Sequence, residues 1–234
     1  MNTLRVEFHC HTIYSKDSLV RPQQLVETAR RKGLDRLIVT DHNSIGGALE
    51  TQRLAPELVI IGEEILTTHG ELLAAFVREE IPAGLEPLEV IRRLKAQGAF
   101  IGVSHPLDPL RGWKREHLLE ILPHVDALEV FNARCVDMRY NDAARAFALE
   151  HGLPGIVGSD AHTLMELGRA TLTLPAFHNA ESLRNALPAA TPQVRLSSPL
   201  VHLASRWAVF AKKHRLVQQP PQLNATPTEE NPVR

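Results

Sequence analysis

The sequence is short of cysteine, of aromatic residues and of long apolar runs. Its two cysteines, Cys10 and Cys135, are too few for a disulfide framework, so the fold must rest on burial. That usage suits a reducing compartment, and a cytoplasmic location is expected. No stretch reaches the ~18 apolar residues that cross a bilayer, so no membrane span is expected. The opening MNTLRVEFHC has no charged segment leading into an apolar one, so no secretory signal is expected. A charge excess is also missing, with 26 Lys and Arg against 27 Asp and Glu, formally −1. Such a balance leaves no basic footprint for nucleic acid, and aromatics at 5% offer few platforms for stacking bases. Neither G-x-S-x-G nor G-x-x-x-x-G-K-[ST] occurs, which removes the serine elbow and the phosphate-cradling loop from consideration.

Histidine, by contrast, is plentiful, at twelve in 234 residues. Over the first ~190 residues, strand-like and helix-like stretches alternate, the pattern of a mostly parallel α/β sheet or barrel. Strands are expected at Leu4–His9, Arg36–Thr40, Glu57–Gly62, Glu71–Val77, Ala99–Ser104, Ala127–Phe131, Gly155–Gly158 and Ala170–Leu174. Between them, RPQQLVETARRKG carries Pro22 early, Leu25, Val26 and Ala29 on one face, and Gly33 as a stop. EPLEVIRRLKAQG repeats the device, with Pro87 early, Leu88, Ile91 and Leu94 inward and Gly98 at the end. NDAARAFALEHG and NAESLRNALP supply the later helices. Gly62 and Glu71 lie too close in sequence for a crossover helix, which needs about 10–12 residues, so any barrel here is irregular. It is also shorter than the ~250 residues typical of eight βα units.

Residues 1–190 thus form the main unit, 191–217 a helical extension and 218–234 a tail. In the extension, Leu200, Leu203, Ala204, Trp207 and Ala211 recur at helical spacing, ahead of Lys212, Lys213 and Arg215. This helix is expected to pack its apolar face on the main unit; a surface-binding amphipathic helix is the alternative. The tail QQPPQLNATPTEENPVR is Pro-rich and polar and is expected to be disordered.

Chemistry gathers at the strand ends. VEFHCHTIYSKDS places His9 and His11 two apart on a strand, hence on one side, with Cys10 opposite and Asp17 soon after. LIVTDHN ends in Asp41 and His42, VIIGEEI in Glu63 and Glu64, and FIGVSHP in His105. ALEVFN carries Glu129 late in its strand, followed by Asn132, and GIVGSDAH ends in Asp160 and His162. Each has an ordinary reading: Asp41 or Asp160 as a cap, Glu63 as a solvated carboxylate, His105 as a loop residue. Together they bring ligand-type side chains to the carboxyl end of six strands, where α/β barrels build their sites. Crowded carboxylates and imidazoles are costly unless a cation accepts their lone pairs. The His/carboxylate mixture suits Zn, Mn or Fe and a catalytic rather than structural site. The number of donors allows two or three ions.

In order, the pieces HCHTIYSKDS, VTDHN, GEEI, VSHP and GSDAH resemble the PHP (polymerase and histidinol phosphatase) family. The resemblance implies a distorted (β/α)7, TIM-like barrel with up to three divalent metal ions at its carboxyl rim. It implies His9, His11, Asp17, His42, Glu64, His105, Asp160 and His162 as metal ligands, with Glu64 bridging. Two positions depart from the family pattern: Glu71 and Glu129 stand where many members carry histidine, and both are taken as ligands here. His69, near Glu71, matches no motif, and the remaining histidines are read as surface or packing residues. Arg134, Arg111 and Arg169 lie near rim segments and are candidates for binding a substrate phosphate, with a salt bridge to a neighbouring carboxylate as the alternative.

A metal cluster with Glu64 and Asp160 would activate a bound water for attack on phosphorus without a protein nucleophile. The expected activity is therefore a metal-dependent phosphoesterase acting on a small phosphomonoester or nucleotide. Two alternatives remain: a 5′-3′ exonuclease acting on the ends of short single strands, and a non-catalytic metal-bound scaffold.

Overall fold

The computed structural model describes residues 2–218 and 220; the rest of the tail expected to be disordered lies outside the described residues. Strand β1 (Thr3–Cys10) is followed by α1 (Pro22–Arg31), β2 (Arg36–Val39), α2 (Gly46–Leu54) and β3 (Val59–Leu66). Next come β4 (Glu71–Ala75), α3 (Pro87–Ala96), β5 (Phe100–Val103) and α4 (Arg115–Ile121). The chain continues through β6 (Ala127–Asn132), α5 (Met138–Glu150), β7 (Gly155–Gly158), β8 (Ala170–Pro175), α6 (Ala180–Ala186), β9 (Thr191–Val194) and α7 (Val201–Lys213).

All nine strands among the described residues join one sheet in the order β7-β6-β5-β4-β3-β2-β1-β8-β9. It curls into a nearly closed barrel, with the β1 and β7 ends meeting at a parallel bridge between Cys10 and Ala161. Two amides seal that seam, His11 N–H to the Ala161 carbonyl at 2.8 Å and Ala161 N–H to the His9 carbonyl at 3.2 Å. The pairs β1–β2, β2–β3, β5–β6 and β6–β7 are parallel. Strand β4 runs antiparallel to both neighbours, because the link from β3 is too short for a crossover. Strands β8 and β9 add antiparallel beyond β1. The ring is therefore not an unbroken βα repeat, and Thr191–Val194, expected in the helical extension, is its edge strand.

The barrel fills with one apolar set, including Val6, Phe8, Ile38, Ile60, Leu73, Phe100 and Ile156. A second set packs α3 and α4 outside β4 and β5, and a third packs α1 on β1 and β2. Helix α1 buries Leu25, Val26 and Ala29 and ends at Gly33, whose φ of 66° most side chains resist. Helix α3 turns Pro87, Val90, Ile91 and Leu94 inward, the i, i+3, i+4, i+7 face, so Leu88 is exposed rather than inward as its spacing had implied. No helix among the described residues is long and apolar enough to cross a membrane.

Helix α7 packs on the barrel as expected at Ala211 but not through its large apolar residues. Ala208, Ala211 and Lys212 are its buried residues, while Leu200, Leu203 and Trp207 are exposed. Small side chains let the helix lie close to the barrel rim. The Lys212 Nζ then reaches the carbonyl oxygens of Ile13 and Ser15.

Candidate metal centre

The parallel strands end together at one rim, and there the chain turns its polar side chains inward. Strand β1 carries a register shift between Glu7 and Cys10. Such bulges re-aim side chains. Here Phe8 joins the barrel core and Cys10 the outer core, while His9 and His11 face the rim. Strand β6 shifts register likewise between Glu129 and Phe131. Strand β3 runs past the position where the sequence suggested it would stop, because its end pairs with β4, and Glu64 is therefore held by a strand rather than a loop. The reversed β4 begins where β3 ends, so its first residue, Glu71, arrives at the same rim. His105 and Asp160 sit at φ 25° and 50°, a left-handed backbone region that side chains avoid and that clusters at functional sites.

Three groups of donors are close enough to share a cation each: His11–His42–His162, His9–His11–Glu64 and His42–Glu64–Glu71. They overlap at His11, His42 and Glu64, so the positions adjoin. Around them, Asp160 Oδ1 lies 3.3 Å from His11 Nε2, Asp17 Oδ2 lies 3.2 Å from His162 Nε2, and His105 Nε2 lies 3.3 Å from both Glu64 and Glu71.

Most of these groups have one polar atom fixed by a scaffold partner and the other aimed at the cluster. His9 Nδ1 meets Glu129 at 2.9 Å, and His11 Nδ1 meets Ser15 Oγ at 3.1 Å. Glu64 Oε1 accepts from Ser104 Oγ at 2.6 Å. Asp160 Oδ2 accepts from Arg111 at 2.6 Å and from Asn132 at 3.2 Å. His162 Nδ1 is bracketed by the Asp160 carbonyl at 2.8 Å and Arg134 at 2.6 Å. The opposite atoms, His9 Nε2, His11 Nε2, Glu64 Oε2, Asp160 Oδ1 and His162 Nε2, are buried with no hydrogen-bond partner among the described residues. Unpaired buried polar atoms are costly and rare, and imidazoles oriented from behind by a hydrogen bond are what metal sites use. The donor set fits a group of divalent cations.

The electrostatics agree. Burial would raise the Glu64 and Asp160 carboxyls, but His9 beside both, His42 beside Glu64 and Arg111 beside Asp160 hold them well below the usual carboxylate range. Burial alone would lower His42, yet Glu64, Asp17 and Glu71 push it up to about 9. Burial, then His162 and His42, drive His11 well below its ordinary value. Burial, then the neighbouring Glu64, raises Glu71.

Several expectations change. Both oxygens of Glu129 are engaged, one with His9 and the other accepting from His105 N–H at 2.7 Å and Asn132 at 3.0 Å, and it belongs to none of the three donor groups. Gly158 makes this approach feasible, since a Cβ there would stand 2.1 Å from Glu129 Oε1. Glu63 is not solvated but fully buried, accepting from Ile81 N–H at 3.1 Å. Asp41 braces the connection after β1, accepting from Thr12 N–H at 2.7 Å and Ser15 Oγ at 2.6 Å. His69 stacks on His117 at 3.6 Å, apart from the cluster.

A cavity of about 430 Å³ opens over the cluster, lined by Asp17, His42, Glu71 and His162 and, from α7, His202, Ser205 and Arg206. His202, read as a surface or packing residue, thus faces the site. Of the phosphate candidates, Arg111 and Arg134 line the cavity and Arg169 does not. Both cavity arginines are paired, Arg111 with Asp160 at 2.6 Å and Asp108 at 3.3 Å, Arg134 with Glu166 at 3.1 Å. Lys16 and Arg206 are exposed on the same wall. A second cavity of about 480 Å³, by Arg36, Glu57 and Phe177 at the other end of the barrel, holds none of the cluster residues.

The sequence matches the PHP domain model over residues 7–119 and the PHP-associated model over 138–192. It is 35% identical over 154 residues to the uncharacterized protein MJ1587 of Methanocaldococcus jannaschii, covering 60% of this chain and 89% of that one. The chain belongs to the PHP family. A second protein of that organism, the uncharacterized MJ0417, is 36% identical over 172 residues, 71% of this PHP chain and 69% of its relative. A two-domain protein from Bacteroides vulgatus, described as containing a predicted PHP-like metal-dependent phosphoesterase, superposes with TM-score 0.68 at 24% identity. That match covers 83% of this chain and 65% of the other. The lesion-specific endonuclease PfuEndoQ of Pyrococcus furiosus shares the fold with TM-score 0.60 at 19% identity, over 85% of this chain and 60% of its own. The two solved structures thus share the fold of this chain.

Proposed function

We propose that this PHP protein is a metal-dependent phosphoesterase that hydrolyses a phosphate ester in a small phosphomonoester or nucleotide. One observation carries the reading: three donor groups that share His11, His42 and Glu64, with their inward atoms otherwise unpartnered. His9, His11, His42, Glu64, Glu71, His105, Asp160, His162 and Asp17 would hold two to three divalent cations. Bound there, such ions draw charge from phosphoryl oxygens and lower the pKa of water to near neutrality.

The chain's own part is to aim and to bind. Ser104 fixes one Glu64 oxygen and leaves the other for two neighbouring positions. Arg111 and Asn132 do the same for Asp160. Lys16 and Arg206 supply positive charge on the cavity wall for an anionic substrate. The cavity's volume of about 430 Å³ suits a compact ligand. The Bacteroides vulgatus protein, described as containing a predicted PHP-like metal-dependent phosphoesterase, has the same fold, which is consistent with this chemistry.

The test is a Mn²⁺-supplemented screen of phosphomonoesters, cyclic phosphates and short oligonucleotides, with an aryl phosphate as reference. His9→Ala and Asp160→Ala should each cut phosphate release about 100-fold or more while circular dichroism stays native. Wild-type rates in both variants would overturn the assigned roles, and preferential cleavage of oligonucleotides would overturn the substrate class.

A further inference from the structure

Helix α7 lies outside both matched regions, which end at residues 119 and 192. It nevertheless reaches the ligand cluster at two points. At its C-terminal turn, Lys212 is 8% exposed, although lysine ammonium groups are almost always solvated. Its Nζ donates to the carbonyl of Ile13 at 2.6 Å and to that of Ser15. These carbonyls lie in the connection between β1 and α1, which carries His11 and Asp17. Ser15 is the node of that connection. Its Oγ donates to Asp41 at 2.6 Å, lies 3.1 Å from His11 Nδ1 and accepts from the His42 N–H at 3.0 Å.

Two turns earlier on α7, Ser205 Oγ accepts from Arg134 Nη2 at 2.8 Å, and Nη1 of the same guanidinium lies 2.6 Å from His162 Nδ1. Three histidines are thus reached from α7 through one intermediary each: His11 and His42 through Ser15, and His162, whose Nδ1–H donates to the Asp160 carbonyl when Nε2 is the ligand atom, through the Arg134 side chain held against its ring. They are the three members of a single donor group. The other backing contacts come from the barrel itself. Glu129 on β6 supports His9, and Ser104, just after β5, supports Glu64.

The difference has a physical cause. His11, His42 and His162 sit just beyond their strands, where connecting segments are the more mobile part of a fold. A charged ammonium donating to two carbonyls is a strong restraint on such a segment. We propose that α7 is a clamp for one cation position, with Lys212 and Ser205 as positioning residues for the His11–His42–His162 group. The two positions built on Glu64 share only one of these histidines each, His11 or His42, and take their other donors from barrel strands. This inference rests on the metal-site reading given above.

The test uses full-length protein stripped with chelator and titrated with Mn²⁺ by calorimetry, with bound ions counted by electron paramagnetic resonance. Lys212→Met removes both donated bonds but keeps an apolar stem. Ser205→Ala removes the acceptor for Arg134 at a half-buried site and is a mild change within a helix, so it stands as the probe should Lys212→Met not fold. In each variant the Mn²⁺ equivalent at the all-histidine position should weaken about 10–100-fold, and the others, which share at most one of these histidines, by clearly less. Trp207→Ala, on the exposed side of the same helix, should leave every equivalent unchanged. Variants that bind all equivalents as tightly as wild type overturn the clamp. So does an equal weakening of all equivalents, which would mark general loosening. Wild-type protein that binds no Mn²⁺ would instead overturn the metal-site reading beneath it.

Discussion

Glu129→Gln separates a carboxylate that binds metal from one that aims an imidazole. Glu129 is buried, and its two oxygens face three donors: His9 Nδ1–H, His105 N–H and Asn132 Nδ2–H. In glutamine one oxygen becomes an NH₂ group, which cannot accept. Turned toward His105 and Asn132 it opposes two donors; turned toward His9 it opposes one, so the amide settles against His9. The side chain lies close against Gly158, which limits how far it can swing. His9 Nδ1 must then accept, which moves the ring proton to Nε2, the atom that faces Glu64 at 3.2 Å. Exchanging a hydrogen bond to a charged acceptor for one from a neutral amide costs about 1 kcal/mol. For a chain of this size that lowers the melting temperature by ~2–4 °C. Metal binding must also reverse the tautomer, so Mn²⁺ affinity should fall about 10–100-fold with the number of bound ions unchanged. Scanning calorimetry of the chelated protein and Mn²⁺ titration read the two effects. Loss of a whole equivalent would make Glu129 a ligand, and unaltered affinity would remove its aiming role; either result refutes the reasoning.

Two further outcomes follow from the buried charges. Burial pushes the Glu63 carboxyl up to about 8, so the folded chain holds a proton that the unfolded chain releases near 4.5; stability should fall as pH rises between those values. Glu63→Gln should therefore gain stability over wild type at pH 8.5 and little at pH 4.5 in urea unfolding with chelator; parallel wild-type and variant profiles would refute this. Because the cluster's inward atoms lack partners, Mn²⁺ at 100 times its dissociation constant should stabilise the fold by about 2.7 kcal/mol per site, a rise of ~5–10 °C in melting temperature. A chelated protein that melts no lower than the Mn²⁺-loaded one would contradict the assignment.

The candidate site was legible wherever one short segment carried both a strand and a donor side chain. His9 and His11, His42, His105, and Asp160 with His162 each follow an apolar run directly, and parallel pairing carries those runs to one rim. What supports them was not legible. Glu129 lies 120 residues from His9, and Ser104 lies 40 from Glu64. Only the sheet order brings such pairs together. Glu71 was reached only through the family resemblance, because nothing local reveals that β4 runs backwards except the shortness of its link to β3. Glu63 was misjudged because its burial comes from the Ile81 amide, a contact with no local signature. On α7 the large apolar residues drew attention to the exposed face, whereas Ala208, Ala211 and Lys212 make the contact. Periodicity weighs size, and this interface is made by small residues and a lysine stem. The edge strand β9 has the exposed, proline-containing sequence TPQV, which gives no alternation to read.

The barrel's ring is joined at Cys10 and Ala161 by a pair of amide contacts. His9 and His11 stand on one lip of that join, Asp160 and His162 on the other. Whatever draws these four side chains together also zips the cylinder shut, and whatever parts the lips dismantles the cluster. Completing the architecture and assembling the donor cluster are, for this polypeptide, a single event.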